Sequence, residues 1–223
     1  MAHSATSMKS ILRTLSSLKG PFPITNLADL PATPHSAFRL WLEDAIEQGE
    51  KEPHAMTLST IDAYGHPDAR VLILKNVDSR GWHFATKATS PKGSQIAVNS
   101  FVSLTFYWPQ LGRQIRIRGR ALELPASESA DDFLERPDGS RISAVASKQS
   151  DVLLDGNTLE NEIAKAKRLI EDTPGYVTPE WRVYAVDPVS VEFWQGAEDR
   201  KHQRIRYAKE IGDDEWTRAA LYP

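Results

Sequence analysis

The chain has 223 residues, of which 40% are hydrophobic and 26% charged, and its formal net charge is −3. These values are ordinary for a soluble globular protein and allow one domain with a sizeable core. Because the chain has no cysteine, disulfides, thiol catalysis and zinc–thiolate sites are excluded, and the negative net charge argues against wholesale nucleic-acid binding.

No apolar run approaches the length of a transmembrane helix, and residues 1–17 lack the apolar core of a secretory signal. We therefore expect a cytoplasmic protein without a membrane partner. Residues 1–31 are polar and then rich in proline and turn residues, which predicts a flexible N-terminal arm. With no repeat and no dividing linker, residues 32–223 are predicted to form a single domain.

Helices and strands can be predicted in chain order after the arm. Thr33 and Pro34 indicate a helix start, and apolar residues follow at helical spacing until Gly49. Further helices are predicted over 90–98, 127–135 and 138–147, and from a capping box at Asn157 and Glu160. Strands are predicted over 55–61, 69–77, 82–86, 101–108, 113–122, 181–186, 189–194, 203–208 and 215–221. Short connections make the sheet antiparallel, so we expect a mainly β protein, a β-barrel with peripheral helices.

Three separated stretches place cations where an anion could approach the backbone. Arg70 and Lys75 bound an apolar strand and, five residues apart, face opposite sides, which allows them to serve different ligands. Lys92 stands in the first turn of a helix, where its charge is unfavourable unless an anion binds there. Arg136 and Ser140 could bind a phosphate together. The structural alternatives are a buried strand with snorkelling ends, a surface lysine and a capped turn.

A fourth stretch joins an aromatic strand, 191–196, to a basic segment, 200–207. Trp194 offers a flat apolar face, and Arg200 and Arg204 offer charged forks suited to phosphate or carboxylate. His202 can move a proton near neutral pH. The alternative is a strand, a turn and a solvated basic strand.

Taken together, the cation clusters and aromatic strands fit a phosphorylated aromatic cofactor and a phosphorylated substrate. The sequence has no Walker loop and no G-x-G-x-x-G motif, and no nucleophile elbow of a serine hydrolase.

Residues 52–150 and 176–223 resemble the pyridoxamine/pyridoxine 5′-phosphate oxidase family. The stretches that carry the resemblance occur in family order, at 70–75, 113–114, 136–137, 147–150, 192–196 and 200–204. The resemblance implies a split β-barrel flavoprotein, active as a homodimer, with FMN at the subunit interface. The implied reaction transfers a hydride from C4′ of pyridoxine or pyridoxamine 5′-phosphate to the flavin, which dioxygen reoxidises with release of hydrogen peroxide.

The resemblance also implies site residues. Those implied for FMN are Arg70, Val71, Leu72, Ile73, Leu74, Lys75, Thr86, Lys92, Gln114, Gln149, Ser150, Trp194 and Arg204. Lys75, Arg136 and Ser140 are implied for the substrate phosphate, with Asp132 beside them. Arg200 and His202 match the pair placed over the substrate ring and are the expected catalytic residues. No metal is implied.

The chain departs from the family pattern in four places. Pro91 replaces an arginine before the lysine expected at the FMN phosphate, and Asp132 replaces a tyrosine at the substrate phosphate. Residues 180–183 replace a tryptophan–glycine–glycine stretch, and 220–223 reduce the family's C-terminal motif. Asp132 is expected to oppose the phosphate or to pair with Arg136, one helical turn away, or else to face solvent.

Two alternatives to this oxidase remain open. One is a related flavin oxidase with another aromatic substrate, as in phenazine-pathway relatives, although those lose the lysine that is kept here as Lys75. The other is a non-catalytic FMN-binding protein, which would not need Arg200 and His202.

Overall fold

The computed structural model describes residues 7–23, 25–210, 213 and 215–223. The strands within these residues are β1 (Ala55–Ile61), β2 (Pro67–Ile73), β3 (Asn76–Asp78), β4 (Gly81–Lys87), β5 (Phe101–Trp108), β6 (Arg113–Glu123), β7 (Trp181–Gln195), β8 (Gln203–Ala208) and β9 (Thr217–Ala220). They form one antiparallel sheet in the order β2-β1-β5-β6-β7-β4-β3, and β8 and β9 continue from β7. This confirms the prediction of a mainly antiparallel β protein.

The helices lie between and before the strands. They are α1 (Met8–Thr14), α2 (Pro34–Glu47), α3 (Pro91–Val98), α4 (Ala126–Leu134), α5 (Asp138–Ala146) and α6 (Gly156–Asp172), with a short 3₁₀ helix at Leu27–Asp29. Thr33 and Ser90 cap α2 and α3 as predicted, each accepting a backbone N–H with its hydroxyl oxygen. The cap of α6 was predicted wrongly, because Asp155 accepts the N–H of Asn157 and the helix starts at Gly156.

The sheet branches at β7. Along one edge β7 pairs with β6 from Tyr184 to Gln195, whereas its other edge pairs first with β4 and then with β8. A bulge between Arg118 and Gly119 lets the strand bend past Pro188, and a Cβ on Gly119 would lie only 2.0 Å from the Asp187 carbonyl oxygen. The two strands predicted at 181–186 and 189–194 are therefore one strand.

The strand predicted at 69–77 is in fact two strands. β2 pairs with β1 and ends at Ile73, whereas β3 pairs with β4 on the far side of the sheet. Between them Leu74 buries its side chain in the core, and the Lys75 N–H donates to the His83 carbonyl at 2.8 Å. The chain thus crosses from one edge of the sheet to the other within two residues.

The core is aromatic and lies between α2 and the inner face of the sheet. Phe38 and Trp41 of α2 are buried against Trp82, Phe106 and Phe193, with edge-on ring contacts at 4.9–5.5 Å. Such contacts add to the area that these large side chains bury, and they fix α2 across the sheet.

The outer face of the sheet keeps large apolar side chains exposed. They alternate with the buried residues of β1, β5 and β6, as period-2 strands require, and continue onto the edge strand β2; they are Ile61, Val71, Ile73, Phe101, Tyr107 and Leu122. On β6 the same face carries the exposed Arg116, Arg118 and Arg120, so the surface mixes large apolar side chains with cations. We call it the outer face below.

Part of the predicted arm contacts the domain. Leu27 and Leu30 are buried, the Leu27 N–H donates to the Gln203 side chain, and the Tyr207 hydroxyl donates to the Pro31 carbonyl. Residues 1–6 and 24 of the arm lie outside the described residues. The flexibility of residues 1–31 stays a prediction. No helix among the described residues is long and apolar enough to cross a membrane.

Candidate active site

A cavity of about 410 Å³ gathers many of the residues that the sequence singled out. The predicted residues in its wall are Val71, Leu72, Ile73, Lys75, Thr86, Lys92, Arg136 and Gln149. The other wall residues were not among the predicted site residues, although Ser147 lies in the stretch 147–150 that carries the family resemblance; they are Ala85, Lys87, Ser143, Ala144, Ser147 and Trp181. The crossing of the chain after β2 explains the arrangement, because it brings the β2 edge and Lys75 to the end of β4.

Lys92 lies at the N-terminus of α3 with its ammonium group inside the cavity wall. It is 5% exposed, and its Nζ donates to Gln149 Oε1 at 2.9 Å. Burial, and then the charge of Arg70, lower the pKa of Lys92. A buried cation beside free helix N–H groups is costly unless an anion offsets it, so this end of the cavity is suited to an anionic group.

Lys87 is the last residue of β4, and its side chain connects the cavity wall to Ser147 at the end of α5. Its Nζ donates to the Ser147 carbonyl at 2.8 Å and lies 2.8 Å from Glu180 Oε2. The hydrogen bond from Lys87, with its charge, lowers the pKa of Glu180 against the opposing effect of burial. The only signal for Lys87 in the sequence was a lysine at the end of an apolar strand, next to the predicted Thr86.

Asp132 is neither in solvent nor paired with Arg136. Its Oδ1 lies 3.1 Å from Lys75 Nζ, and its Oδ2 accepts a hydrogen bond from Trp181 Nε1 at 2.7 Å. The expectations of an Arg136 pair and of a solvent-facing carboxylate were therefore wrong. The side chain is 14% exposed, and it stands beside the predicted phosphate residues.

Arg136 stacks on the ring face of Trp181, the same residue whose indole N–H donates to Asp132. Its guanidinium carbon lies 4.1 Å from the centre of the Trp181 ring, and its Nη2 donates to the backbone carbonyl of Ser140 at 3.0 Å. Burial lowers the pKa of Arg136, and the charge of Asp132 opposes that effect. Its Nε is buried without a hydrogen-bond partner among the described residues.

A second group of predicted residues lies around the end of β7. Trp194 pairs in register with Gln114 on β6 and with Arg204 on β8, and its ring centre is 4.9 Å from that of His202. Arg204 binds Glu192 at 2.8 Å and donates to the Tyr222 carbonyl at 2.8 Å. We call Gln114, Trp194, Arg200, His202 and Arg204 the C-terminal group.

The two predicted catalytic residues differ in how they are held. The Ala197 N–H donates to His202 Nδ1 at 3.0 Å, so the neutral ring carries its proton on Nε2. Arg200 is exposed and has a φ of 67°, an uncommon conformation for a residue other than glycine. Among the described residues its side chain has no hydrogen bond or ion pair, so both groups are available to a ligand.

The C-terminal group does not line the cavity. Trp181 stands in the cavity wall, and Trp194 follows thirteen residues later on the same strand, a path of about 40 Å. The predicted residues Arg70, Leu74, Asp132, Ser140 and Ser150 are also outside the cavity wall, although Arg70 is close enough to influence Lys92. One chain therefore brings together only part of the predicted site.

Comparisons with known families and proteins agree over most of the chain. A family model described as pyridoxamine 5′-phosphate oxidase matches residues 42–177, and one described as the pyridoxine 5′-phosphate oxidase C-terminal dimerisation region matches residues 181–223. A pyridoxine/pyridoxamine 5′-phosphate oxidase of Pseudomonas paraeruginosa is 42% identical over 198 residues, which is 88% of this chain and 91% of the relative. One of Ectopseudomonas mendocina is 43% identical over 199 residues, with the same coverage.

Solved structures share the fold. PhzG of Burkholderia lata, in complex with tetrahydrophenazine-1-carboxylic acid, has a TM-score of 0.83 at 30% identity and covers 92% of this chain and 100% of its own. A pyridoxamine 5′-phosphate oxidase-related, FMN-binding protein of Nostoc punctiforme has a TM-score of 0.70 at 17% identity, with coverage of 86% and 98%. These likenesses confirm the predicted split β-barrel.

Proposed function

Because the chain belongs to the pyridoxamine 5′-phosphate oxidase family, we propose that it is an FMN-dependent oxidase that converts pyridoxine or pyridoxamine 5′-phosphate to pyridoxal 5′-phosphate. Dioxygen is the acceptor and is reduced to hydrogen peroxide; with pyridoxamine 5′-phosphate, water also hydrolyses the imine product and ammonia is released. The observation that carries the proposal is the convergence of Lys75, Lys92 and Arg136 on one cavity whose wall includes the β2 edge.

The residues of the cavity fit FMN. Its volume lies in the range of small-molecule sites, and Lys92 is buried with no carboxylate among its hydrogen-bond or ion-pair partners in the described chain. The buried Nε of Arg136 is a second donor available to a ligand. From one chain, FMN would be held by Arg70, Val71, Leu72, Ile73, Leu74, Lys75, Thr86, Lys92, Gln149 and Ser150.

Gln114, Trp194 and Arg204 complete the proposed cofactor site from a second copy of the chain. Three observations support a homodimer: these residues lie apart from the cavity, the outer face exposes six large apolar side chains, and residues 181–223 match a dimerisation region. In a twofold dimer each chain gives its cavity to one site and its C-terminal group to the other.

Bound FMN supplies the hydride acceptor and the reaction with dioxygen, and the protein supplies orientation and charge. Lys75, Arg136 and Ser140 bind the substrate's anionic group, with Asp132 beside them. His202 presents Nε2–H and Arg200 its guanidinium, so the pair can hold the substrate ring and its polar substituents over the cofactor.

A second candidate is a flavin oxidase that acts on another aromatic substrate. It is favoured by one observation, the Lys75–Asp132 ion pair, which engages a cation that a phosphate would need. The complex of the Burkholderia lata relative holds an aromatic carboxylic acid rather than a phosphate.

Oxygen consumption by the FMN-loaded protein tests the proposal. We expect uptake with pyridoxine 5′-phosphate and pyridoxamine 5′-phosphate, release of hydrogen peroxide, and little uptake with unphosphorylated pyridoxine. Protein loaded with riboflavin is the matched control for the cofactor. A protein that holds FMN and consumes no oxygen with either phosphate would contradict the proposed substrate.

A further inference from the structure

We infer that Asp132 is a specificity-determining residue, which reduces the positive charge around Lys75 and Arg136 and so weakens the preference of this subsite for a phosphate dianion over a singly charged group such as an aromatic carboxylate. The inference rests on the proposed function, because it concerns the substrate end of the same cavity. It adds a class of ligand, aromatic monocarboxylates, to the proposed phosphates.

The Asp132 carboxylate is held in place by both of its oxygens. Lys75 Nζ lies 3.1 Å from Oδ1, and Trp181 Nε1 donates to Oδ2 at 2.7 Å. Asp132 itself does not line the cavity, but both of its partners do, so its partly buried charge lies directly behind the wall at this subsite. Lys75 is therefore already ion-paired with Asp132 when an anion binds.

Trp181 positions both charges of the subsite. Its indole N–H holds Asp132, and its ring face carries the Arg136 guanidinium at 4.1 Å. Arg136 keeps a buried Nε without a partner among the described residues, so it still offers a hydrogen bond to a ligand. A single guanidinium group of this kind matches the planar shape of a carboxylate.

The charges of the neighbouring groups do not restore the balance. Two cations and one carboxylate leave a single net positive charge around the ligand's anionic group. Of the other two cations in the cavity wall, Lys87 is itself paired with Glu180 at 2.8 Å, and Lys92 is assigned to the cofactor phosphate. The repulsion from Asp132 therefore lowers the attraction of the subsite for a dianion about twice as much as its attraction for a monoanion.

Calorimetric titration with two probes of the same ring, benzoate and phenyl phosphate, tests the inference on the FMN-loaded protein. At pH 8 the first carries one negative charge and the second carries two, since the second phosphate pKa is about 6. Asp132→Asn removes the charge and keeps an oxygen for the Trp181 donor. We expect about threefold tighter binding of benzoate and about tenfold tighter binding of phenyl phosphate, because the repulsion scales with ligand charge.

Asp131→Asn is the matched control, since it removes the same charge from the neighbouring, exposed position on α4. We expect its ratio of the two dissociation constants to stay within about twofold of the wild-type ratio. Equal effects of Asp132→Asn on both probes, or an Asp131→Asn ratio that moves as far as the Asp132→Asn ratio, would overturn the inference. Because the titration needs no turnover, it is independent of whether the protein oxidises a B6 phosphate.

Discussion

Trp181 and Trp194 lie thirteen residues apart on one continuous strand, and each belongs to a different half of the proposed site. Trp181 stands in the cavity wall, whereas Trp194 stands beside His202. Because β7 is extended throughout, the chain cannot fold these two side chains onto one ligand. Both halves of the proposed site are built on this one strand, but within one chain they lie too far apart to bind one ligand. This separation is the structural reason to expect a dimer.

Substituting Tyr107 on the outer face is expected to weaken that dimer. Its side chain is 55% exposed and lies in register with Gln114 of the C-terminal group. A charge there would be buried in the dimer without a partner, so Tyr107→Glu should shift the protein towards monomer and weaken FMN binding. Sedimentation velocity and an FMN titration measure the two effects.

Tyr64→Glu is the control for this substitution, since Tyr64 is 85% exposed in the turn between β1 and β2. It should leave both the dimer and the FMN affinity unchanged. A wild-type protein that sediments as a monomer when saturated with FMN would contradict the shared site.

Lys92→Met is expected to separate FMN from riboflavin. If Lys92 binds the cofactor phosphate, its loss should raise the dissociation constant of FMN about ten- to hundredfold, the worth of one charged hydrogen bond, and leave that of riboflavin unchanged. Flavin fluorescence quenching measures both constants. Equal weakening of the two flavins would show that Lys92 does not bind the phosphate.

The same variant has an expected effect on stability. The pKa of Lys92 is lowered by burial, so the folded state is penalised wherever the amine is charged, which includes neutral pH. Lys92→Met removes that penalty, and the unfolding free energy of the apoprotein should not fall. Lys165→Met, at an exposed position on α6, is the control and should change neither the dissociation constant of FMN nor the unfolding free energy of the apoprotein.

How much of this arrangement the sequence predicted depends on the range of the interactions. The strands at 55–61, 101–108 and 203–208 and the caps Thr33 and Ser90 follow from local periodicity and local hydrogen bonds, and these predictions were confirmed. The break at Leu74 has no glycine or proline to mark it. It follows from β2 and β3 pairing with different strands, which no local pattern records.

The candidate site shows the same limit. Spacing along one helix made a pair with Arg136 one of the expectations for Asp132, but its partner is Lys75, 57 residues earlier in the chain. Trp181 joins the pair only because the first half of β7 lies beside β4. Ordered motifs predicted which residues line the cavity better than they predicted which side chains bind one another.

Lys87→Met should loosen the segment from Ser147 to Ser150. It removes the donor to the Ser147 carbonyl, and a buried hydrogen bond to a charged group is worth about 1.5–3 kcal/mol. We expect a lower unfolding free energy, faster hydrogen exchange in this segment and weaker FMN binding. Glu180→Gln is the control, because it keeps the Ser147 bond and loses only a pair with a half-exposed carboxylate, worth less than about 1 kcal/mol. Similar hydrogen exchange in both variants would argue against this role.

Asp132→Tyr should lower the Michaelis constant for pyridoxine 5′-phosphate. The change frees Lys75 from its carboxylate partner and removes the repulsion felt by the phosphate, while FMN affinity should stay the same. Steady-state kinetics and a flavin titration on the same preparation measure both. An unchanged or raised Michaelis constant would count against a B6 phosphate as substrate.

Subunit complementation tests the shared oxidase site most directly. Arg136→Ala damages the cavity and His202→Ala the C-terminal group, so each pure variant should be nearly inactive in oxygen consumption with pyridoxine 5′-phosphate. If each site takes its cavity from one chain and its C-terminal group from the other, a mixed dimer has one site with both defects and one intact site. After subunits exchange in an equal mixture, about a quarter of wild-type activity should return, because half of the dimers are mixed and half of their sites are intact. A mixture that stays as inactive as its components, although mixed dimers have formed, would contradict the shared site.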